Sequence, residues 1–128
     1  MLGNAAGTAA RAYERFYPGA GVDGVELDPA VSDAGRRYFG MGEIGTLSVH
    51  DADARAFLRR TDQTYDVIIV DAYRPPYVPF YLATKEFFEL VRSRLRPGGL
   101  IALNVATVPG DRRLVDELSG TLASVFPE

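Results

Sequence analysis

The run Tyr65-Asp66-Val67-Ile68-Ile69-Val70-Asp71 constrains this chain more than any other segment. After Asp66 it is continuously apolar and β-branched, the pattern of a strand covered on both faces in a parallel sheet. Parallel neighbours need crossover connections, so helices must flank such a strand. The sequence supplies them. Val22–Leu27, Thr46–His50 and Leu100–Val105 read as further strands, the last launched by Pro97-Gly98-Gly99. Helical patterns cover 5–17, 29–39, 52–60 and 84–95, and a last one starts at Asp111. Pro18-Gly19 stops the first helix, Asp28 and Pro29 open the second, and Thr84 caps the fourth. Apolar stripes follow helical spacing: Ala9, Tyr13, Phe16 and Tyr17; Phe87, Phe88, Val91 and Leu95; Leu114, Leu118, Leu122 and Val125. The fold class is therefore α/β with a mostly parallel sheet.

The two ends depart from that pattern. A Gly-rich loop at residues 3–7 should follow a buried first strand, yet only Met1 and Leu2 precede it. Nothing after Val125 supplies a closing strand. The expectation is one domain over residues 1–128, a fragment lacking its first strand and its C-terminal strands. Open edges beside Val22–Leu27 and Val67–Val70 make poor solubility or a homodimer the expected behaviour of the chain alone.

Composition excludes several classes of function. Fourteen basic against seventeen acidic residues give a net charge of -3, so nucleic acid is not an expected partner. With no Cys and one His, thiol chemistry and the usual metal centres are not expected, and no metal site is assigned. No run nears the ~18 apolar residues of a membrane span. The start has no signal-peptide pattern. A cytoplasmic location is expected, either alone or as the cytoplasmic domain of a longer membrane-attached protein.

Three places carry chemistry. Gly3-Asn4-Ala5-Ala6-Gly7-Thr8 opens a helix, and Glu26 ends the next strand about twenty residues on, as in nucleotide-binding folds. Small residues let backbone approach a ligand, the helix start offers N–H groups, and the carboxylate can take two ribose hydroxyls. The same glycines could equally serve helix–strand packing, with Glu26 a plain strand-end acid. Asp53, followed by Ala54 and Phe57, can accept from an adenine amino group; alternatively Asp51 or Asp53 caps the following helix. Asp71 closes the buried strand at the carboxyl edge, where such sheets bind ligands. It leads into a stiff aromatic loop containing Tyr73, Arg74 and Tyr77. This loop reads as a wall of a substrate pocket with Asp71 as acid/base, or as an aromatic patch packing on a neighbour. His50 reads as structural.

Taken in order, these motifs resemble the spermidine synthase (polyamine aminopropyltransferase) family, within the Rossmann-like methyltransferase superfamily. The likeness is carried by Val25-Glu26-Leu27-Asp28-Pro29, Arg37-Tyr38-Phe39, Asp53-Ala54, Tyr65 to Asp71, Phe87-Phe88 and Leu95-Arg96-Pro97-Gly98-Gly99. It implies a class I methyltransferase-type, three-layer αβα domain. It also implies a small-molecule donor, decarboxylated S-adenosylmethionine or S-adenosylmethionine itself, and a small-molecule acceptor. Gly3, Asn4, Ala5, Gly7, Glu26, Asp53 and Ala54 would hold the donor, and Asp71 would deprotonate the attacking amine. Two departures stand out. Ala6 replaces the family's loop acid, and Arg74 replaces the acid three residues after the catalytic one. The implied activity is aminopropyl transfer. The alternatives are an S-adenosylmethionine-dependent methyltransferase and a non-catalytic ligand-sensing or interaction module.

Overall fold

The computed structural model describes residues 1–72, 78–107 and 109–126. The chain divides into two compact units, Met1–Phe57 and Leu58–Glu128. Strand–helix alternation runs through both.

In the first unit, β1 (Val22–Glu26) and β2 (Leu47–Asp51) pair in parallel, from Val22 opposite Leu47 to Glu26 opposite Asp51. Leu2 adds a parallel bridge to Val25, with the Val25 N–H donating to the Met1 carbonyl at 2.9 Å. Buried Leu2 thus lies beside β1 just before the Gly-rich loop, the place expected for a preceding strand. α1 (Thr8–Phe16) starts three residues later than its sequence pattern. The reason is local: Ala5 and Gly7 hold φ of 45° and 80°, outside right-handed helix. Ala10 faces the core with Met41 and Ile44, packed against Val22, Leu47 and Val49. Phe16 and Tyr17 are exposed, so the expected stripe is buried only in its first half. α2 (Pro29–Tyr38) begins as expected, with the Asp28 side chain accepting from the Ala30 N–H at 2.9 Å. α3 (Ala54–Arg60) starts in this unit and ends in the next.

In the second unit, β3 (Tyr65–Val70) pairs in parallel with β4 (Leu95–Leu103). β4 begins five residues earlier than the sequence suggests, because Pro97-Gly98-Gly99 is a bulge within the strand rather than a turn before it. Tyr65 faces Leu95 but Val67 faces Leu100, so β4 takes five steps where β3 takes two. Gly99 is required there: a Cβ would lie 2.9 Å from the Arg96 carbonyl and 3.1 Å from those of Tyr65 and Asp66. The Arg96–Asp66 ion pair spans the bulge at 2.6 Å.

Behind this sheet, α4 (Lys85–Ser93) buries Phe87, Phe88 and Val91, and Thr84 caps it by accepting from the Phe87 N–H. α5 (Arg113–Ala123) buries Leu118, and Arg92 holds the following turn through the Val125 carbonyl at 2.8 Å. Asp111 sits one residue before the cap position. Its carboxylate takes the Arg113 guanidinium and N–H, which hold it below the usual carboxylate range. Burial of β3 is one-sided, not two-sided. Ile68 and Val70 are buried, while Val67 is 40% and its β4 partner Leu100 66% exposed. Period-two side-chain alternation leaves the Val67–Ile69–Leu100–Ala102 face open in this span of chain. Among the described residues no helix is long and apolar enough to cross a membrane.

Phe87 and Leu100 make a direct contrast. Phe87→Ala should cost about 3–5 kcal/mol in urea unfolding, and Leu100→Ala should change stability by less than about 0.5 kcal/mol.

Candidate functional site

The first group of site residues gathers at the carboxyl end of β1. The loop doubles back there: the N–H groups of Gly3 and Asn4 both donate to the Val25 carbonyl, at 2.9 and 3.0 Å. The left-handed Ala5 then turns its N–H onto Glu26 Oε2 at 2.9 Å. Glu26 Oε1 accepts from the Asp28 N–H at 3.2 Å. Loop and strand-end acid, twenty-one residues apart, are thus one hydrogen-bonded unit. A carboxylate has about four lone-pair positions. Two are committed to backbone, and this leaves room for hydroxyl donors.

Asn4 anchors this unit from below. It is 3% exposed, and its Nδ2 donates to Met41 Sδ at 3.3 Å and to the Ala5 carbonyl at 3.4 Å. Its Oδ1 has no hydrogen-bond partner and lies against Gly24. Asn4 is therefore an internal prop of the loop rather than a surface ligand contact. Met41 reaches across the same space to Gly7 and Gly35. Gly7, the residue before α1, offers no side-chain cap, so the helix start keeps its N–H groups for other acceptors. Ala6 is half-buried in the same loop.

Asp53 fulfils the capping alternative. Its Oδ1 accepts from the Ala56 N–H at 2.9 Å, while Asp51 ends β2 with its carboxylate 4.0 Å from Arg36. Capping occupies one Asp53 oxygen, and Ala54 begins the helix that it caps. His50 bonds Asp23 at 2.8 Å and packs its ring, tilted by 45°, against that of Phe57 with centroids 4.7 Å apart, a structural role.

In the second unit, Asp71 follows the last residue of β3 and is exposed. Its Oδ1 accepts from Asn104 Nδ2 at 2.7 Å. Sequence reasoning passed over Asn104, although the signal was present: it is the first polar residue after an apolar strand that pairs in parallel with the strand ending at Asp71. Tyr73, Arg74 and Tyr77 lie outside the described residues. Beyond them, exposed Phe80 meets Tyr81 edge-on at 5.8 Å.

Gly24 offers a direct test of the propped loop. An alanine Cβ there would come within 2.5 Å of Asn4 Oδ1 and 2.9 Å of Leu47 Cδ1. Gly24→Ala should destabilise the fold by about 1–3 kcal/mol. Adding Asn4→Ala should recover part of that loss, as measured by a thermodynamic double-mutant cycle.

The family model described as "Spermine/spermidine synthase domain" matches residues 7–128. A Bifidobacterium longum protein described as "Probable polyamine aminopropyl transferase" is 39% identical over 98% of this chain and 28% of its own length. The polyamine aminopropyltransferase of Vibrio vulnificus is 34% identical over all of this chain and 43% of its own. The chain thus spans less than half the length of these relatives. Among solved structures, a probable spermidine synthase from Corynebacterium glutamicum superposes with a TM-score of 0.88 at 30% identity, over 98% of this chain and 45% of that one. Human methyltransferase-like protein 13 in complex with SAH superposes at 0.85 with 26% identity, over 99% of this chain and 61% of that one. The fold is Rossmann-like, of the methyltransferase type.

Proposed function

The chain belongs to the spermine/spermidine synthase domain family, and on that premise we propose that it serves aminopropyl transfer from decarboxylated S-adenosylmethionine to an amine. The observation carrying this is the Glu26 carboxylate, pinned at the tip of β1 by the N–H groups of Ala5 and Asp28. A pinned acceptor beside a loop of small residues suits the paired hydroxyls of a ribose. The residues present fit such a donor: the remaining Glu26 lone pairs for the ribose, the uncapped start of α1, and the second Asp53 oxygen for an adenine amino group. Gly3, Asn4 and Gly7 shape the loop, with Asn4 acting from within.

The donor, when bound, supplies a sulfonium leaving group. The rest falls to this chain. Asp71 accepts the proton that the amine must lose as its nitrogen bonds to the propyl carbon, while the carbon–sulfur electron pair leaves with sulfur. A positioned carboxylate contributes about 10²–10⁴-fold to such a step. Tyr73, Arg74 and Tyr77 are assigned to the acceptor side from sequence alone. By the resemblance in sequence, Ala6 and Arg74 stand where the family carries acids, and losing two acids while gaining a cation disfavours a dicationic acceptor. The preferred acceptor is therefore a neutral or anionic amine rather than a diamine.

One observation favours a second reading. Ala6 leaves no loop carboxylate to repel the carboxylate of intact S-adenosylmethionine, so methyl transfer from that donor is the alternative.

Calorimetry with both donors decides between the two. Binding of the decarboxylated form above the intact one supports the first reading, the reverse supports the second, and binding of neither overturns both. Glu26→Ala should weaken the preferred donor by about 1–3 kcal/mol; unchanged affinity in a folded variant overturns the assignment of Glu26. On the acceptor side, putrescine should give negligible product with the natural chain, and Ala6→Asp with Arg74→Asp should raise its turnover. Robust putrescine turnover by the unaltered chain would overturn the assignment of Arg74 to the acceptor side.

A further inference from the structure

β3 and β4 end in step. Val70 faces Leu103, and the Asn104 N–H donates to the Val70 carbonyl at 3.0 Å, carrying the parallel ladder one residue past β4. That bond fixes the Asn104 backbone beside Asp71. The Asn104 side chain then reaches Asp71 Oδ1 at 2.7 Å. Asn104 is therefore held through its backbone by one strand and through its side chain by the acid that ends it. An exposed aspartate otherwise turns about two single bonds, and a proton acceptor sampling many orientations is rarely in line with its donor. A charge-assisted hydrogen bond to one oxygen selects an orientation and leaves the other oxygen to work. Among the described residues Oδ2 has no partner.

The chemistry of the donor matters. An ammonium or guanidinium in this place would orient the carboxylate but favour its charged form, making it a poorer proton acceptor. A second carboxylate would repel it. A neutral amide holds the group and leaves its charge in place.

We propose that Asn104 is a positioning residue for Asp71: its amide holds Oδ1 so that Oδ2 meets the proton of the incoming amine. This rests on the reading of Asp71 as proton acceptor.

Two measurements on the full chain test it. In the first, the side-chain NH₂ signals of Asn104 are followed by NMR through an acid titration. They should move with the ionisation of Asp71, and Asp71→Asn should abolish that movement; signals indifferent to the substitution overturn the pairing. In the second, turnover is measured with decarboxylated S-adenosylmethionine and either propylamine or 4-aminobutyrate. Asn104→Leu should lower kcat about 10- to 100-fold, with donor affinity within about twofold of the natural chain because that affinity belongs to the other residues. Asn104→Gln, which keeps the amide, should recover most of the loss, and Asn104→Asp should not. If Asp71→Asn abolishes turnover while Asn104→Leu leaves kcat unchanged, the positioning role is overturned and the role of Asp71 stands. If Asp71→Asn retains full turnover, or the natural chain is inert toward both amines, the reading of Asp71 fails and the role of Asn104 with it, whatever the titration shows.

Discussion

Parallel pairing brings like ends of strands together, and the candidate chemistry of this chain depends on that constraint. In an antiparallel pair, the residue closing one strand lies beside the opening of its neighbour. Here Glu26 faces Asp51 at the end of one pair, and Asp71 and Asn104 follow Val70 and Leu103 at the end of the other. Each pair therefore delivers polar side chains to its own carboxyl end. Strand pairing sets direction and register, and the candidate residues sit at the last position of a strand or just past it.

The loop before α1 illustrates what such a site costs. Ala5 is held left-handed without being glycine, and Asn4 is buried with its carbonyl oxygen unsatisfied. Each feature is unfavourable alone, on the order of 1–3 kcal/mol. They persist because neighbours determine the loop from several sides: the Val25 carbonyl takes two of its N–H groups, Glu26 a third, and Met41 fills the space beneath. The direction in which the Ala5 N–H points follows from that packing. Unfavourable backbone at a strand tip, supported from below, is how a fold keeps a donor aimed before any ligand arrives.

Much of this was legible from residues alone, and the limits are instructive. Tyr65–Val70 was recognisable to its exact ends because β-branched residues in an unbroken run have few other uses. Asp28 and Thr84 announced their helices because a cap is a local event, decided within four residues. The start of α1 was misplaced because alanines look helical, whereas the hydrogen bonds that hold Ala5 out of the helix come from β1. The Pro97-Gly98-Gly99 bulge read as a turn for a similar reason: only pairing with β3 shows that the strand continues through it. The open face of β3 could not be foreseen, since a run of apolar residues does not say which side is covered. Of the candidate site, Glu26 and Asp71 stand out as acids at the ends of strand runs, and Asp53 as an acid just before a helix. Asn104 was missed because its importance lies wholly in its register against another strand.

That register gives the bulge a further meaning. The extra residues between Leu95 and Leu100 set the phase in which β4 meets β3, and every later residue inherits it. Removing one of them would turn the apolar side chains of β4 to the opposite face. It would also carry Asn104 one step out of line with Asp71, about 16 Å away along the strand. The bulge thus works as a vernier: a small count of residues at one end of the sheet sets the alignment of two side chains at the other. Length variation that a surface loop would absorb is, at this place, transmitted intact to the candidate chemistry.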